Sequence, residues 1–171
     1  MERKVVMAYL TEREWMLLNE ILQEIYRAET FESFGNTFLV LIRKMVSYRT
    51  AAVSVVREDG TVVEEETIAV GETGDDVCKY NRFYAKIDYT NAILEFPRST
   101  SYRDIDIVDE TQKRKTRIYM EYFEPRKMNY SGGLLIKTAS KTVCITFFRS
   151  NINGMLTDKE LFILDQLKGH L

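Results

Sequence analysis

Apolar residues recur at helical spacing from the start of the chain. Trp15, Leu18, Leu22 and Ile25 make one stripe, widened by Leu17 and Ile21, as in a helix that buries a single face. Thr11 and Glu14 have the spacing of a capping box, so this helix is expected to run to about residue 28. Phe31, Phe34, Phe38, Leu41 or Ile42, and Met45 repeat the spacing after Thr30 and predict a second helix to about residue 47. Periodicity does not say whether the pair covers a sheet or meets a second copy. The pattern then changes. Residues 51–58 and 61–70 read as strands around Asp59-Gly60, a two-residue hairpin signal. Asp75 is placed to cap a third helix with Val77, Tyr80, Tyr84 and Ile87 inward. Residues 91–96 fit a short strand or a helical turn stopped by Pro97, and residues 111–123 fit a helix. Residues 133–137 and 142–148 predict a second hairpin around a polar turn. In its second strand Val143, Ile145 and Phe147 share one face, and Cys144, Thr146 and Phe148 share the other. Thr157 and Glu160 form another capping box, and Leu161, Leu164, Leu167 and Leu171 follow as one stripe. That stripe still runs at the last residue, so the helix is expected either to be cut there or to continue into another domain.

Hairpins at both ends of an array of helices indicate an α+β fold with an antiparallel sheet. At 171 residues the chain fits one domain, 1–171, with helices over 11–47, the sheet and a candidate pocket over 51–150, and a last helix over 157–171. A formal charge of −2 gives no basic footprint for nucleic acid. Cys78 and Cys144 lack metal-ligand spacing and read as reduced, half-buried thiols of a cytoplasmic protein. The charged start is followed by an apolar run too short for a signal peptide, and no stretch approaches a membrane span.

Enzyme signatures are missing. There is no phosphate loop, nucleophile elbow, dinucleotide fingerprint or zinc motif, and the one histidine, His170, leaves no histidine-based triad. No cofactor and no metal are expected. The charges at Arg103, Asp104, Asp106, Asp109 and Glu110 do not have calcium-loop spacing and read as solvated loop charges and a helix start. The basic run 112–117 beside them reads as an exposed helix face. The middle of the chain is rich in tyrosine. A tyrosine offers an apolar face and one polar tip, which suits a pocket for a small, partly polar molecule; it also suits an ordinary core boundary.

The end of the chain resembles a known family. The apolar hairpin closing in Phe148-Arg149, then Leu156-Thr157-Asp158-Lys159-Glu160-Leu161 and a helix ending in Gly169-His170-Leu171, is similar to the end of the GAF-like N-terminal domain of LuxR-type transcription regulators. Gly169 stands where that family usually has Pro, and Leu156 where an aromatic is more usual. The segment Tyr102-Arg103-Asp104-Ile105-Asp106 resembles the family's aromatic-Arg-Asp-x-Asp. Leu10-Thr11-Glu12-Arg13-Glu14 resembles the opening of the family's DNA-binding domain, but no basic recognition helix follows within its length. The resemblance implies a GAF/PAS-like central antiparallel sheet flanked by helices. It also implies a ligand held between the sheet and the helices after the first hairpin. Tyr80, Tyr84, Tyr89, Tyr102, Tyr119 and Phe123 are then the candidate contacts, with Phe147 on the sheet side. Cys78 has no neighbouring His for a covalent bilin. The implied function is a small-molecule-sensing or dimerisation domain of a bacterial regulator. Its partners would be a small effector and a second copy, with DNA met only through a helix-turn-helix domain absent from this chain. The alternatives are a ligand-free homodimerisation or scaffold module and a small enzyme.

Overall fold

The computed structural model describes residues 9–171; the charged start and the signal-peptide reading made on it, within residues 1–8, lie outside the described residues. Helix α1 (Glu12–Arg27) opens on the expected capping box. The Thr11 side chain accepts from the Glu14 amide, and the Glu14 carboxylate accepts from the Thr11 amide at 2.8 Å. Its buried centre is Leu18 and Ile21, while Trp15, at the edge of the stripe, is exposed. Helix α2 (Phe31–Ile42) opens on Thr30, paired with Ser33. Strands β1 (Thr50–Val56) and β2 (Val62–Val70) follow. Their connection is longer than the expected two-residue hairpin. The Gly60 amide donates to the Arg57 carbonyl and only Gly60 takes a positive φ, 85°, so a tight turn is followed by one left-handed glycine. Helix α3 (Gly74–Phe83) is capped by Thr73 with Asp76, not by Asp75, because a hydroxyl at Thr73 and a carboxylate three residues on satisfy the free amides together.

A 3-10 turn (Tyr89–Glu95) leads to β3 (Thr100–Arg103), a short strand that the sequence pattern did not single out. The helix expected over 111–123 is broken. Helix α4 (Glu110–Lys113) ends in a turn, and a π-helical turn (Tyr119–Phe123) starts afresh. Thr116 makes the break: its hydroxyl donates back to the Lys113 carbonyl at 2.7 Å and accepts from the Tyr119 amide at 3.3 Å. Strands β4 (Tyr130–Lys137) and β5 (Thr142–Arg149) form the second hairpin, and α5 (Asp158–Lys168) closes the described chain on the Thr157–Glu160 capping box.

The strands form one antiparallel sheet in the order β2-β1-β5-β4-β3. Ala51 sits opposite Phe147, Val53 opposite Ile145, and Ile145 also opposite Leu134. These residues, with Ile136, share one face and pack with Leu18, Ile21, Phe38, Leu39, Ile42, Leu161, Leu164 and Leu167 from α1, α2 and α5. The helix pair therefore covers the sheet. The other face carries smaller side chains: Ala52 and Ser54 on β1, Ser131 on β4, and Cys144 and Thr146 on β5. Side chains of that size do not fill the layer between sheet and cover, and the space left there is where the candidate site lies. Among the described residues no helix is long and apolar enough to cross a membrane.

Candidate ligand pocket

A cavity of about 90 Å³ lies on this second face. Ala52, Ser54, Val56, Cys144, Thr146 and Phe148 come from β1 and β5; Tyr102 and Ser131 from β3 and β4; and the cover supplies Glu72, Val77, Tyr80, Asp88, Thr90, Ile93, Tyr122 and Phe123. The cover is built from α3, the 3-10 turn and the π-helical turn. In the π turn the Glu124 amide reaches back five residues to the Tyr119 carbonyl, and the turn after it closes with the Met128 amide on the Phe123 carbonyl. Such turns hold their hydrogen bonds in poorer geometry than an α-helix does, and they occur often at functional sites.

Polar groups enter this apolar space at few points. Asp88 is buried. It caps the 3-10 turn, accepting from the Thr90 amide at 2.8 Å and the Thr90 hydroxyl at 2.7 Å, while its other oxygen accepts from the Tyr80 hydroxyl at 2.9 Å. Burial pushes its carboxyl above the usual aspartate range, and these three donors pull the other way. Glu72 accepts from the Tyr122 hydroxyl at 3.0 Å, and burial raises its pKa as well. The Tyr80 and Tyr122 rings lie 5.8 Å apart, so the two carboxylates hang from neighbouring tyrosines. On the sheet side the Tyr102 and Thr146 hydroxyls share a hydrogen bond at 3.1 Å. The Ser131 hydroxyl is 6% exposed as a residue and has no partner. Burial pushes the Cys144 thiol up to about 12, so it remains a thiol at neutral pH.

Tyr80, Tyr102 and Phe123 line the cavity, and the other candidates do not. Tyr84 stands behind Tyr122, ring centroids 5.0 Å apart, and Tyr89 packs edge-on against Phe123 at 6.1 Å. Tyr119 is buried beneath the cover, where its hydroxyl accepts from the Asn129 side chain at 3.1 Å. Phe147 is a correction. It points to the helical face and packs on Tyr48 at 5.6 Å, because residues 144, 146 and 148 hold the parity of the cavity face. Asp88, Glu72, Tyr122, Ser131 and Phe148 were not among the candidates. The large apolar residues at 143, 145 and 147 mark the core face, which leaves Cys144, Thr146 and Phe148 to the cavity. The spacing of Asp88 and Thr90 is that of an acidic cap on a turn.

Asp104 and Lys113 are not solvated: both are fully buried and meet at 3.3 Å, each making the other's burial tolerable. Cys78 is exposed rather than half-buried, with its thiol against Glu64 at 3.2 Å, and it does not line the cavity. Among the described residues no group of three or more His, Cys, Asp or Glu could hold a metal ion.

No protein-family model matches the sequence, and a search of curated proteins finds no match. Solved structures do match the fold. The VqsR LBD domain from Pseudomonas aeruginosa superposes with a TM-score of 0.64 and 13% identity, covering 93% of this chain and 92% of that one. CepR2 from Burkholderia cenocepacia, an N-acylhomoserine lactone dependent LuxR family transcription factor, gives 0.59 and 14%, covering 91% and 87%. A protein with bound biliverdin IXa, in its far-red absorbing dark state, gives 0.54 and 16%, covering 90% and 96%. At these identities the likeness is one of fold: this chain has the α+β, GAF-like architecture that those domains share.

Proposed function

We propose that this domain is the small-molecule sensor of a LuxR-type transcription regulator, residues 1–171 forming one regulatory unit whose last helix carries the ligand state onward. The observation that supports this most directly is the cavity: an apolar space with the buried carboxylate of Asp88 held in place by Tyr80 and Thr90. A carboxylate so placed is an acceptor waiting for an N–H or O–H donor. Likeness in fold to the VqsR LBD domain and to CepR2 supports the same reading. On this reading the domain is not an enzyme, works in the cytoplasm, and meets DNA only through a separate domain.

The size of the cavity limits the occupant. An engineered cavity of about 150 Å³ is known to take benzene, so about 90 Å³ holds something smaller. A molecule as large as an acyl homoserine lactone enters only if the 3-10 and π turns of the cover move outward. The same small volume favours a second reading, a self-pairing module without ligand, for which the exposed Met16 and Tyr26 of α1 offer apolar surface. Differential scanning fluorimetry and native mass spectrometry against a panel of small amides, lactones and amines separate the two. A ligand at 100 times its Kd stabilises by about 2.7 kcal/mol, which is roughly 5–11 °C for a domain of this length. No shift and no retained mass with any compound, together with a concentration-dependent dimer, would leave the self-pairing module.

A further inference from the structure

The charge of the cavity is one-sided. Of the side chains that line it, Glu72 and Asp88 are acidic and none is Lys, Arg or His. The nearby Arg126 is engaged elsewhere: its guanidinium lies over the Tyr122 ring at 4.1 Å and donates to Asp76 at 3.1 Å. Each carboxylate has a hydroxyl from a tyrosine, and among the described residues neither is in a close ion pair, although the Arg126 charge is felt at Glu72. The remaining wall is aromatic, from Tyr80, Tyr102, Tyr122 and Phe123, and the electron-rich faces of such rings attract cations. A separate feature of the sheet face points to an occupant as well: the Ser131 hydroxyl, more than nine-tenths buried, lines the cavity without any hydrogen-bond partner.

We propose that the cavity takes a small organic cation, a primary or secondary ammonium of about four non-hydrogen atoms. Its charge sits among Glu72, Asp88 and the tyrosines, and the Ser131 hydroxyl faces its other end. The inference rests on the sensor reading and narrows it from a donor-bearing molecule to a charged one. A neutral amide or alcohol of the same size can fill the space and meet Asp88, but it brings no counter-charge to either carboxylate. An anion is excluded by both.

The test compares propylammonium chloride with 1-propanol, which has the same number of heavy atoms and no charge, by isothermal titration calorimetry on the whole domain, with sodium chloride as the ionic control. The ammonium is expected to bind at least about tenfold more tightly than the alcohol. Glu72→Gln and Asp88→Asn are each expected to weaken ammonium binding by about tenfold while changing propanol binding by less than about twofold. Glu72 is only partly buried, so its variant stays folded even if the Asp88 variant does not, and circular dichroism checks both. Equal binding of alcohol and ammonium overturns the cation assignment, as does ammonium binding that both variants leave intact. Amide NMR shifts at Tyr102 and Thr146 keep the two readings apart. If a neutral probe alone moves them, the pocket stands and the charge preference falls. If no probe moves them, both fall.

Discussion

Replacing Lys113 by Met should unfold the wall of the pocket before it affects anything else. The Lys113 ammonium has no exposure to solvent. It contacts Glu110 at 2.7 Å, donates to the Asn129 carbonyl at 2.8 Å and to Asp104 at 3.3 Å, and lies 4.5 Å from the Tyr130 ring centre. Glu110 is 36% exposed and keeps Arg114 at 2.8 Å, so it recovers when Lys113 is lost. Asp104 cannot. Its side chain is 1% exposed, and without Lys113 it would keep backbone amides, Ser131 at 3.0 Å and Ile105, but no counter-charge from Lys113. Burial already raises its pKa against the pull of Lys113. Stranding one partner of a buried pair costs about 3–5 kcal/mol. At roughly 2–4 °C per kcal/mol for a domain of this size, Tm should fall by about 6–20 °C. The loss should shrink as pH is lowered, because a carboxyl with no counter-ion is relieved by taking up a proton. Asp104→Asn added to Lys113→Met should restore part of the stability, since the stranded charge is then gone. Urea unfolding at pH 5 and pH 7.5 on the single and double variants measures all three effects. A loss below about 1 kcal/mol, or a double variant less stable than the single one by the full cost of a second lesion, would refute the reasoning.

Parity along β5 gives a paired expectation. Phe147→Ala should cost about 3–5 kcal/mol in urea unfolding and leave probe binding unchanged. Phe148→Ala should cost less, because Phe148 is only half-buried, and should enlarge the cavity and alter which probes calorimetry detects. At Gly133 an added Cβ would stand 1.8 Å from the Ile145 carbonyl oxygen, against the backbone of β5, which cannot give way as a side chain could. Gly133→Ala should therefore cost about 3 kcal/mol or more and be read as lost soluble yield or a lowered urea midpoint. Asp88 sets a pH dependence. Its folded pKa is raised, so the stability it contributes is fully present below the unfolded aspartate value and is lost as pH rises through the folded one. Asp88→Asn should remove that component, so the wild-type-minus-variant difference in unfolding free energy should fall as pH rises from the acid range toward neutrality. A difference flat with pH would refute it.

Local signals along this chain were dependable where a side chain answers to its own neighbours in sequence. The Thr11, Thr30 and Thr157 caps, the second hairpin and the apolar stripes of α2 and α5 all depend on spacing of a few residues, and all are present. What failed depended on distant partners. Lys113 is one of six residues in a polar run that nothing local marks as buried. It goes inside because Asp104, Asn129 and Tyr130, from the 3-10 turn after β3 and from the start of β4, close around it. Strand alternation divides β5 into two faces without saying which one meets the helices, and Phe147 lies on the face that does. Tyrosine richness marks the stretch that supplies much of the cavity's cover but does not tell which tyrosines line it. Tyr84, Tyr89 and Tyr119 are second-layer supports for Tyr122, Phe123 and Asn129, and composition has no means of separating a wall from its backing.

If the domain senses a ligand, the free energy that moves α5 must come from a difference in affinity between two arrangements, and tight binding alone shifts nothing. The geometry limits where that difference can arise. Tyr102 is on the cavity wall. The next residue, Arg103, reaches the opposite side of β3 and donates to Asp158 at 2.9 Å and to the Leu156 carbonyl at 3.3 Å, holding the first turn of α5. At the end of β5, Arg149 holds the same turn through Glu160 at 2.7 Å. All five strands contribute to the sheet side of the cavity, and two of them, β3 and β5, also grip the start of α5. Lys159 in that turn meets Glu14 of α1 at 2.6 Å, so a shift of one helix is felt by the other. An occupant that separates Tyr102 from Thr146, now joined at 3.1 Å across Gly133 of β4, would act on β3 and β5, the strands whose arginines hold α5. An occupant that leaves that pair intact would bind without consequence. On the sensor reading, affinity would be set on the cover by Asp88 and Glu72 and response on the sheet by the Tyr102–Thr146 pair.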